Sequence, residues 1–397
     1  KFKAAAEQFI SNKMSDENRE QLKAYIDAVW GTWVADISKS RSIPVEEINK
    51  FTDEISLYNS KSALDNKLVD GLLYKDEMID TIAHLFGVEK EKDIKMMDNI
   101  TYYKAIKKSD LRIKDKIAVI YAEGDIISGK SDDNIASDNY VKLIYDIRKD
   151  SSIKAVVLRV NSPGGSAQSA GMIDRELSLL KKVKPVIVSM GDYAASGGYW
   201  IAAKANKIYV NNTTLTGSIG VFSMAVNFEK SMNSILKINE ESVKTNKHGD
   251  MLSGYRPLDE EEISFMQKSV EDIYVSFLDL VSQGRSMSAA EVDSIAQGRI
   301  WSGADAVKIG LADEVGGISK AIDGAAEIAK LKEYRVVEYP VRKSQIDKIL
   351  EQLTLASVAV KMNYNPSLLL ERAYSSLKDE RGVKFMARLP YKIELNK

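Results

Sequence analysis

The chain of 397 residues is 44 % hydrophobic and 28 % charged, a globular make-up with apolar material for two or three domains. Its 56 Lys and Arg against 57 Asp and Glu leave a formal net charge of -1, so no global field selects nucleic acid or cationic partners. With no cysteine and two histidines, His84 and His248, the composition excludes thiol nucleophiles, thiolate metal sites, disulfides and histidine-rich metal sites, and a Ser-His-Asp arrangement has only those two imidazoles to draw on.

The chain opens on Lys1 without a signal peptide, and the reading is of a processed or truncated product whose targeting segment is absent. No apolar run approaches the roughly 18 residues of a membrane helix, the stretch Leu355 to Val360 being far too short. In chain order, the first predicted element is a long amphipathic helix with an acidic first turn from Asp16, followed after Arg41-Ser42 by a short helix, a strand and a closing helix. The apolar runs Ile117 to Tyr121, Ala155 to Val160 and Pro185 to Met190 predict buried strands, alternating with helices over Asn134–Lys149 and Ala167–Lys182. A second long helix from Glu260 repeats the first, with Arg285-Ser286 facing Arg41-Ser42, so that Asp16 to Ile82 runs beside Glu260 to Gly324 with a single one-residue register shift.

This pattern predicts a duplicated α/β domain whose first copy is truncated at its N-terminus: residues 1–112 end the first repeat, residues 113–338 form a complete second one, and residues 339–397 are a tail, helical around Gln345–Met362.

Two loops concentrate the chemistry. Asn161-Ser162-Pro163-Gly164-Gly165-Ser166 follows a strand and precedes a helix, and its glycines leave backbone N–H groups free to face an anion; the plain alternative is a tight turn. Asp192 to Trp200, "DYAASGGYW", follows another strand and sets one serine among small residues at a helix start; the plain alternative is a helix-capping serine. Together, at one edge of a parallel sheet, the first can supply oxyanion donors and the second a nucleophile.

A rival motif, Gly124 to Ser131 ("GDIISGKS"), fits the phosphate-binding pattern of nucleotide enzymes, but Asp132-Asp133-Asn134 follow where a helix should begin, and two anions beside a triphosphate are unfavourable without a metal. The G-x-S-x-G signature of α/β-hydrolases is absent, since Ala194 and Thr216 stand two places before Ser196 and Ser218. His84 reads as a helix-face residue and His248 as a loop residue.

The segments "LRVNSPGGS", "SMGDYAASGGYW", "TLTGSIGVF" and "KFKAAAEQF" resemble the Clp-protease and crotonase-like superfamily and, more closely, the signal peptide peptidase A (protease IV) family in its long, duplicated form. The resemblance implies an α/β fold of repeated ββα units and an ATP-independent serine endopeptidase that needs no cofactor or metal. Its sites carry over as Ser196 for the nucleophile, Lys3 for the general base, Ser218 for the hydroxyl that orients the lysine, and the N–H groups of Gly165 and Gly197 for the oxyanion hole. The lysine role agrees with the scarcity of histidine, provided that burial holds the amine neutral. Lys247 lies opposite Lys3 at the repeat offset of 244 and is the alternative base, although "TNKHGDM" departs from the aromatic-Lys-small pattern.

The resemblance further implies hydrophobic peptide substrates such as signal-peptide remnants and a homo-oligomer, a tetramer by preference. It places the protein at the bacterial inner membrane, with the catalytic domain on the periplasmic side, anchored through a segment absent from this chain; nucleic acid is not a partner. A non-catalytic peptide-binding scaffold and an acyl-CoA enzyme of crotonase type are the competing readings.

Overall fold

The computed structural model describes residues 1–4, 7–106, 112–341 and 385–388. The helix expected over Gln345–Met362 lies outside the described residues. The chain forms two compact units, one of Lys1–Tyr25 with Asp115–Lys397 and one of Ile26–Lys114. Lys3 thus belongs to the same compact unit as Ser196.

The chain opens with α1 (Glu7–Ile10) and the 26-residue α2 (Asp16–Arg41), whose Asp16 and Glu17 favour its N-terminus and Lys39 and Arg41 its C-terminus. The smaller unit continues from α2 through α3 (Val45–Asp53), α4 (Ser60–Asp65), α5 (Lys75–Leu85) and α6 (Asn99–Ile106). Its core is small, with Val34, Ile43, Ile48 and Phe51 buried against Trp30, Ile37 and Leu68.

The larger unit is built on a parallel sheet. Strands β1 (Lys116–Glu123), β2 (Ile126–Ile127) and β3 (Ile135–Ala136) lead into α7 (Ser137–Lys149); β4 (Ile153–Ser162) and β5 (Gly164–Ser166) lead into α8 (Ala167–Lys181); β6 (Val186–Ala195) leads into the single turn α9 (Gly197–Trp200). There follow β7 (Lys207–Val210), β8 (Leu215–Gly217), β9 (Phe222–Ser223), α10 (Glu260–Arg285), α11 (Ala289–Ile295), β10 (Ile300–Ser302), α12 (Gly303–Lys308), β11 (Glu314–Val315), α13 (Ile318–Ile328), β12 (Arg335–Tyr339) and β13 (Phe385–Arg388).

The main sheet runs β10-β8-β6-β4-β1-β12, with β7 alongside β6 and β11 beyond it; every pairing is parallel except β10 with β8. Its strands are near-continuous apolar runs because both faces are covered. On β1, Ile117 and Val119 pack with Ala321 and Ala325 of α13, whereas Ala118, Ile120 and Ala122 join the larger core with Ile144 of α7, Ile173 of α8 and Phe277 of α10. The alternation follows from side chains pointing to opposite faces of a strand at every second residue.

A second, five-stranded sheet runs β3-β2-β5-β13-β9. It accounts for the main departure of α7 from expectation: the helix starts at Ser137 rather than Asn134 because Ile135 and Ala136 pair with Ile126 and Ile127. The stretch Gly124 to Ser131 likewise carries β2 and does not pass into a helix, which removes the geometry of a phosphate cradle.

Candidate active site

Ser196 lies between the end of β6 and α9, at φ 57° and ψ -118°. Left-handed backbone at a serine costs about 1–3 kcal/mol and persists only where the surroundings impose it. Here the Ser196 N–H donates to the Gly217 carbonyl at 2.8 Å, the Ser196 carbonyl accepts from the Trp200 N–H at 2.9 Å, and the residue is wholly buried. Trp200 is itself fixed against Phe277 of α10, with ring centroids 4.5 Å apart. The two motif loops are tied by one side chain, since Asn161 Oδ1 accepts from the N–H groups of Asp192 at 3.1 Å and Tyr193 at 3.3 Å.

Lys3 reaches the same point from the start of the chain. Its Nζ lies 2.6 Å from Ser196 Oγ, 3.0 Å from Ser218 Oγ and 3.1 Å from the Ser218 carbonyl oxygen. Ser218 follows β8, is buried at φ 50°, and donates its N–H to the Arg299 carbonyl at 2.7 Å. Lys3 as a residue keeps some exposure, but its amine end is desolvated, and that burial holds it well below the ordinary lysine range. No carboxylate pairs with it among the described residues.

Gly165 lies in β5 at φ 153°, and a Cβ there would fall 2.1 Å from the Ile126 carbonyl oxygen, so no side chain fits. Gly197 opens α9, which packs against β5. The structure thus brings Lys3 into direct contact with both Ser196 and Ser218 and sets Gly165 and Gly197 on adjoining elements. Lys247 is not brought to them: its ammonium pairs with Glu261 at 2.7 Å, its side chain is 62 % exposed, and Glu261 raises its pKa. His84 sits exposed on α5.

His248 Nδ1 contacts Glu262 at 2.9 Å and, with Asp259, forms a group of ligand-type atoms within 4.8 Å of one another. Arg256 already holds Glu262 at 2.7 Å and Asp250 at 2.7 Å, so this cluster is an ion-pair network with its cation in place.

The tail, for which the sequence predicts no strand, also reaches this site. The strand β13 lies antiparallel to β5, with Arg388, Ala387 and Met386 opposite Gly164, Gly165 and Ser166, and antiparallel to β9, with Met386 and Phe385 opposite Phe222 and Ser223. Strands β5 and β9 do not pair with each other, so they leave a slot one strand wide beside the serine loop, filled by residues 385–388.

Against known proteins, the family model described as peptidase family S49 matches residues 1–89 and 178–332, and one described as Clp protease matches residues 107–248. Protease 4 of Salmonella typhi is 36 % identical over 362 residues, covering 89 % of this chain and 58 % of its own. Serine protease SPPA, chloroplastic, of Arabidopsis thaliana is 33 % identical over 376 residues, covering 91 % of this chain and 54 % of its own. Probable protease SohB of Haemophilus influenzae is 30 % identical over 267 residues, covering 66 % of this chain and 72 % of its own. The chain thus spans 54 to 58 % of the length of the long relatives. A mutant ClpP1 from Listeria monocytogenes aligns with 51 % of this chain and 94 % of its own at a TM-score of 0.36 and 13 % identity.

Proposed function

The chain belongs to peptidase family S49, and on that premise we propose that it is a serine endopeptidase in which Ser196 is the nucleophile and Lys3 the general base. The observation that carries the reading is the 2.6 Å approach of Lys3 Nζ to Ser196 Oγ, together with the groups that surround the amine. A neutral amine has two N–H donors and one lone pair. The Ser218 carbonyl and Ser218 Oγ accept the two N–H groups at 3.1 and 3.0 Å, which leaves the lone pair for the Ser196 hydroxyl proton. Burial supplies the neutrality, because desolvation penalises the ammonium form.

In this mechanism Ser196 Oγ attacks the scissile carbonyl carbon as its proton passes to Lys3. The N–H groups of Gly165 and Gly197 stabilise the oxyanion, and the Lys3 ammonium then protonates the leaving amine. Water hydrolyses the acyl-enzyme with Lys3 again as base. No nucleotide, metal or cofactor enters any step. The slot between β5 and β9 supports a peptide substrate bound as an added strand, since it already accommodates an extended segment in antiparallel register.

The finer reading is that the substrates are short hydrophobic peptides, signal-peptide remnants among them, cleaved at the bacterial inner membrane on its periplasmic side. In it the chain assembles as a homo-oligomer, a tetramer, and residues 1–112 and 113–338 derive from a duplicated domain. The exposed apolar side chains Val226, Phe228, Ile235 and Leu236, just beyond β9, support an assembly surface. No helix among the described residues is long and apolar enough to cross a membrane.

The test is labelling by a fluorophosphonate probe with peptide mapping, run on wild type, Ser196→Ala, Lys3→Met and Lys247→Met. Labelling at Ser196 that is lost in Lys3→Met and kept in Lys247→Met is the expected result. An unlabelled Ser196 across pH 7 to 10, with peptide binding intact, would replace the enzyme by a binding scaffold.

A further inference from the structure

Lys3 is held by no helix or sheet of its own, yet its amine must stay within hydrogen-bond reach of Ser196. Three neighbouring contacts fix the residue before it. The Phe2 N–H donates to the Gln297 carbonyl at 2.8 Å, Gln21 Nε2 donates to the Phe2 carbonyl at 2.9 Å, and the Arg299 guanidinium lies 4.9 Å from the centroid of the Phe2 ring. Backbone and ring of Phe2 are therefore all engaged.

The holding groups are themselves fixed. Gln21, on α2, is 1 % exposed and satisfied throughout: its Oε1 accepts from the Ile300 N–H at 3.1 Å, and its Nε2 also donates to Asn18 Oδ1 at 3.1 Å. Arg299 stacks on Trp301 at 4.7 Å as well as on Phe2, and pairs with Glu20 at 3.0 Å. Next to Arg299 in the chain sits Gly298 at φ 83°, where a Cβ would fall 2.5 Å from Lys3 Cβ and 2.7 Å from the Lys3 backbone nitrogen. The same short run reaches the other side of the site, for the Arg299 carbonyl accepts the Ser218 N–H at 2.7 Å and the Gly298 N–H donates to the Ile219 carbonyl at 2.7 Å.

We propose that Gln21 and Arg299 are positioning residues of the Lys3–Ser196 pair, acting through a platform of residues 297–301 that references Lys3 and Ser218 to one rigid edge. The proposal rests on the reading of Lys3 as general base. Neither residue touches the reacting atoms. Each instead narrows the range of Lys3 positions, and a displacement of about 1 Å in a reacting group costs on the order of 100-fold in rate.

The experiment compares Gln21→Met, of similar volume but without the hydrogen bonds, and Arg299→Lys, which keeps the charge beside Glu20 but loses the planar stack, in the wild-type and Lys3→Met backgrounds. Readouts are kcat and KM on a chromogenic peptide ester, the rate of fluorophosphonate labelling of Ser196, and Tm. The expected result is a fall in kcat of about 10- to 100-fold for Gln21→Met and a smaller one for Arg299→Lys, with KM within about twofold. In the Lys3→Met background neither substitution changes the residual labelling rate further, because the residue being positioned is gone.

An equal fold-loss in both backgrounds, or a loss that follows the unfolded fraction, overturns the proposal in favour of a packing role. Unchanged kcat in both variants also overturns it. Labelling that is insensitive to Lys3→Met itself defeats the general-base reading instead, so the two failures are distinguishable. If Gln21→Met does not fold, Arg299→Lys and Gly298→Ala carry the same comparison, the latter with an expected kcat loss at least as large as that of Gln21→Met.

Discussion

The two long helices, each taken with the elements after it, invite comparison. Helix α2 and helix α10 each span 26 residues, and each ends on an arginine followed by a serine at left-handed φ, 54° at Ser42 and 55° at Ser286. Arg41 donates through Nε to the Lys67 carbonyl at 2.9 Å and pairs with Asp70; Arg285 donates through Nε to the Gly310 carbonyl at 2.8 Å and pairs with Asp313. Trp30 Nε1 donates to Asn49 Oδ1, and Tyr274 Oη to Asp293 Oδ1, at corresponding positions. Helices α5 and α13 have eleven residues each and also correspond.

The difference lies in burial. Helix α13 buries Ala321, Gly324, Ala325 and Ala326, and Ala321 and Ala325 pack with strand residues of β1, β4 and β6. Helix α5 buries only Ala83, leaving Met78 at 48 % and Leu85 at 78 % exposure. One local pattern thus serves two environments: the arginine clamps and helix ends are set by residues close in sequence, whereas the burial of α13 depends on the strands it packs against.

The lysines at matching positions give the largest contrast. Lys3→Met should lower kcat/KM by about 10⁴-fold or more, and Lys247→Met by less than about twofold, in peptide hydrolysis assays. Equal effects would dissolve the distinction between a buried base and a surface ion pair. Because burial lowers the Lys3 pKa, kcat/KM should rise with pH through that lowered value and then level off. The same shift sets a sign for stability. Between the lowered value and the ordinary lysine value the folded chain binds fewer protons than the unfolded one, so stability gains as pH rises there. In Lys3→Met that slope disappears, and Tm at pH 7 should exceed that of wild type.

The arginine clamps come next. Arg285 is 8 % exposed and donates to both the Gly310 carbonyl and Asp313, so Arg285→Ala should cost about 2 kcal/mol by denaturant titration through the lost hydrogen bonds. Arg41→Ala should barely move the transition, because Asp70 is 91 % exposed and solvent screens the pair. A smaller effect is expected at the slot. Deleting residues 385–397 should lower KM for short peptides about two- to tenfold with kcat unchanged, as removal of a competing strand requires; an unchanged KM would detach β13 from peptide binding.

Much of this was legible in the residues. The three apolar runs predicted β1, β4 and β6, and their extensions to Glu123, Ser162 and Ala195 follow from pairing with neighbours, β6 for instance gaining Tyr193 to Ala195 opposite β8. The repeat offset was readable, as were the glycine turn and the serine loop. Gln21 was not, because a glutamine on a helix carries no sign of whether it faces solvent or two backbone groups far along the chain. The tail strand was equally silent, since pairing with β5 and β9 is a matter of main-chain groups that every residue owns.

The sequence by itself determined the long helices, the three buried strands, the internal similarity and the inventory of reactive groups, because periodicity, glycine spacing and scarcity of histidine are local or compositional properties. Only the tertiary structure decided which lysine meets the serine. Lys3 and Lys247 are the same side chain at equivalent offsets, and they are separated by the environment at the amine, enclosed beside Ser196 and Ser218 in one case and paired with Glu261 in water in the other. Desolvation depends on everything that packs around a group, and that sum exists only once residues 193 positions apart have been brought to 2.6 Å.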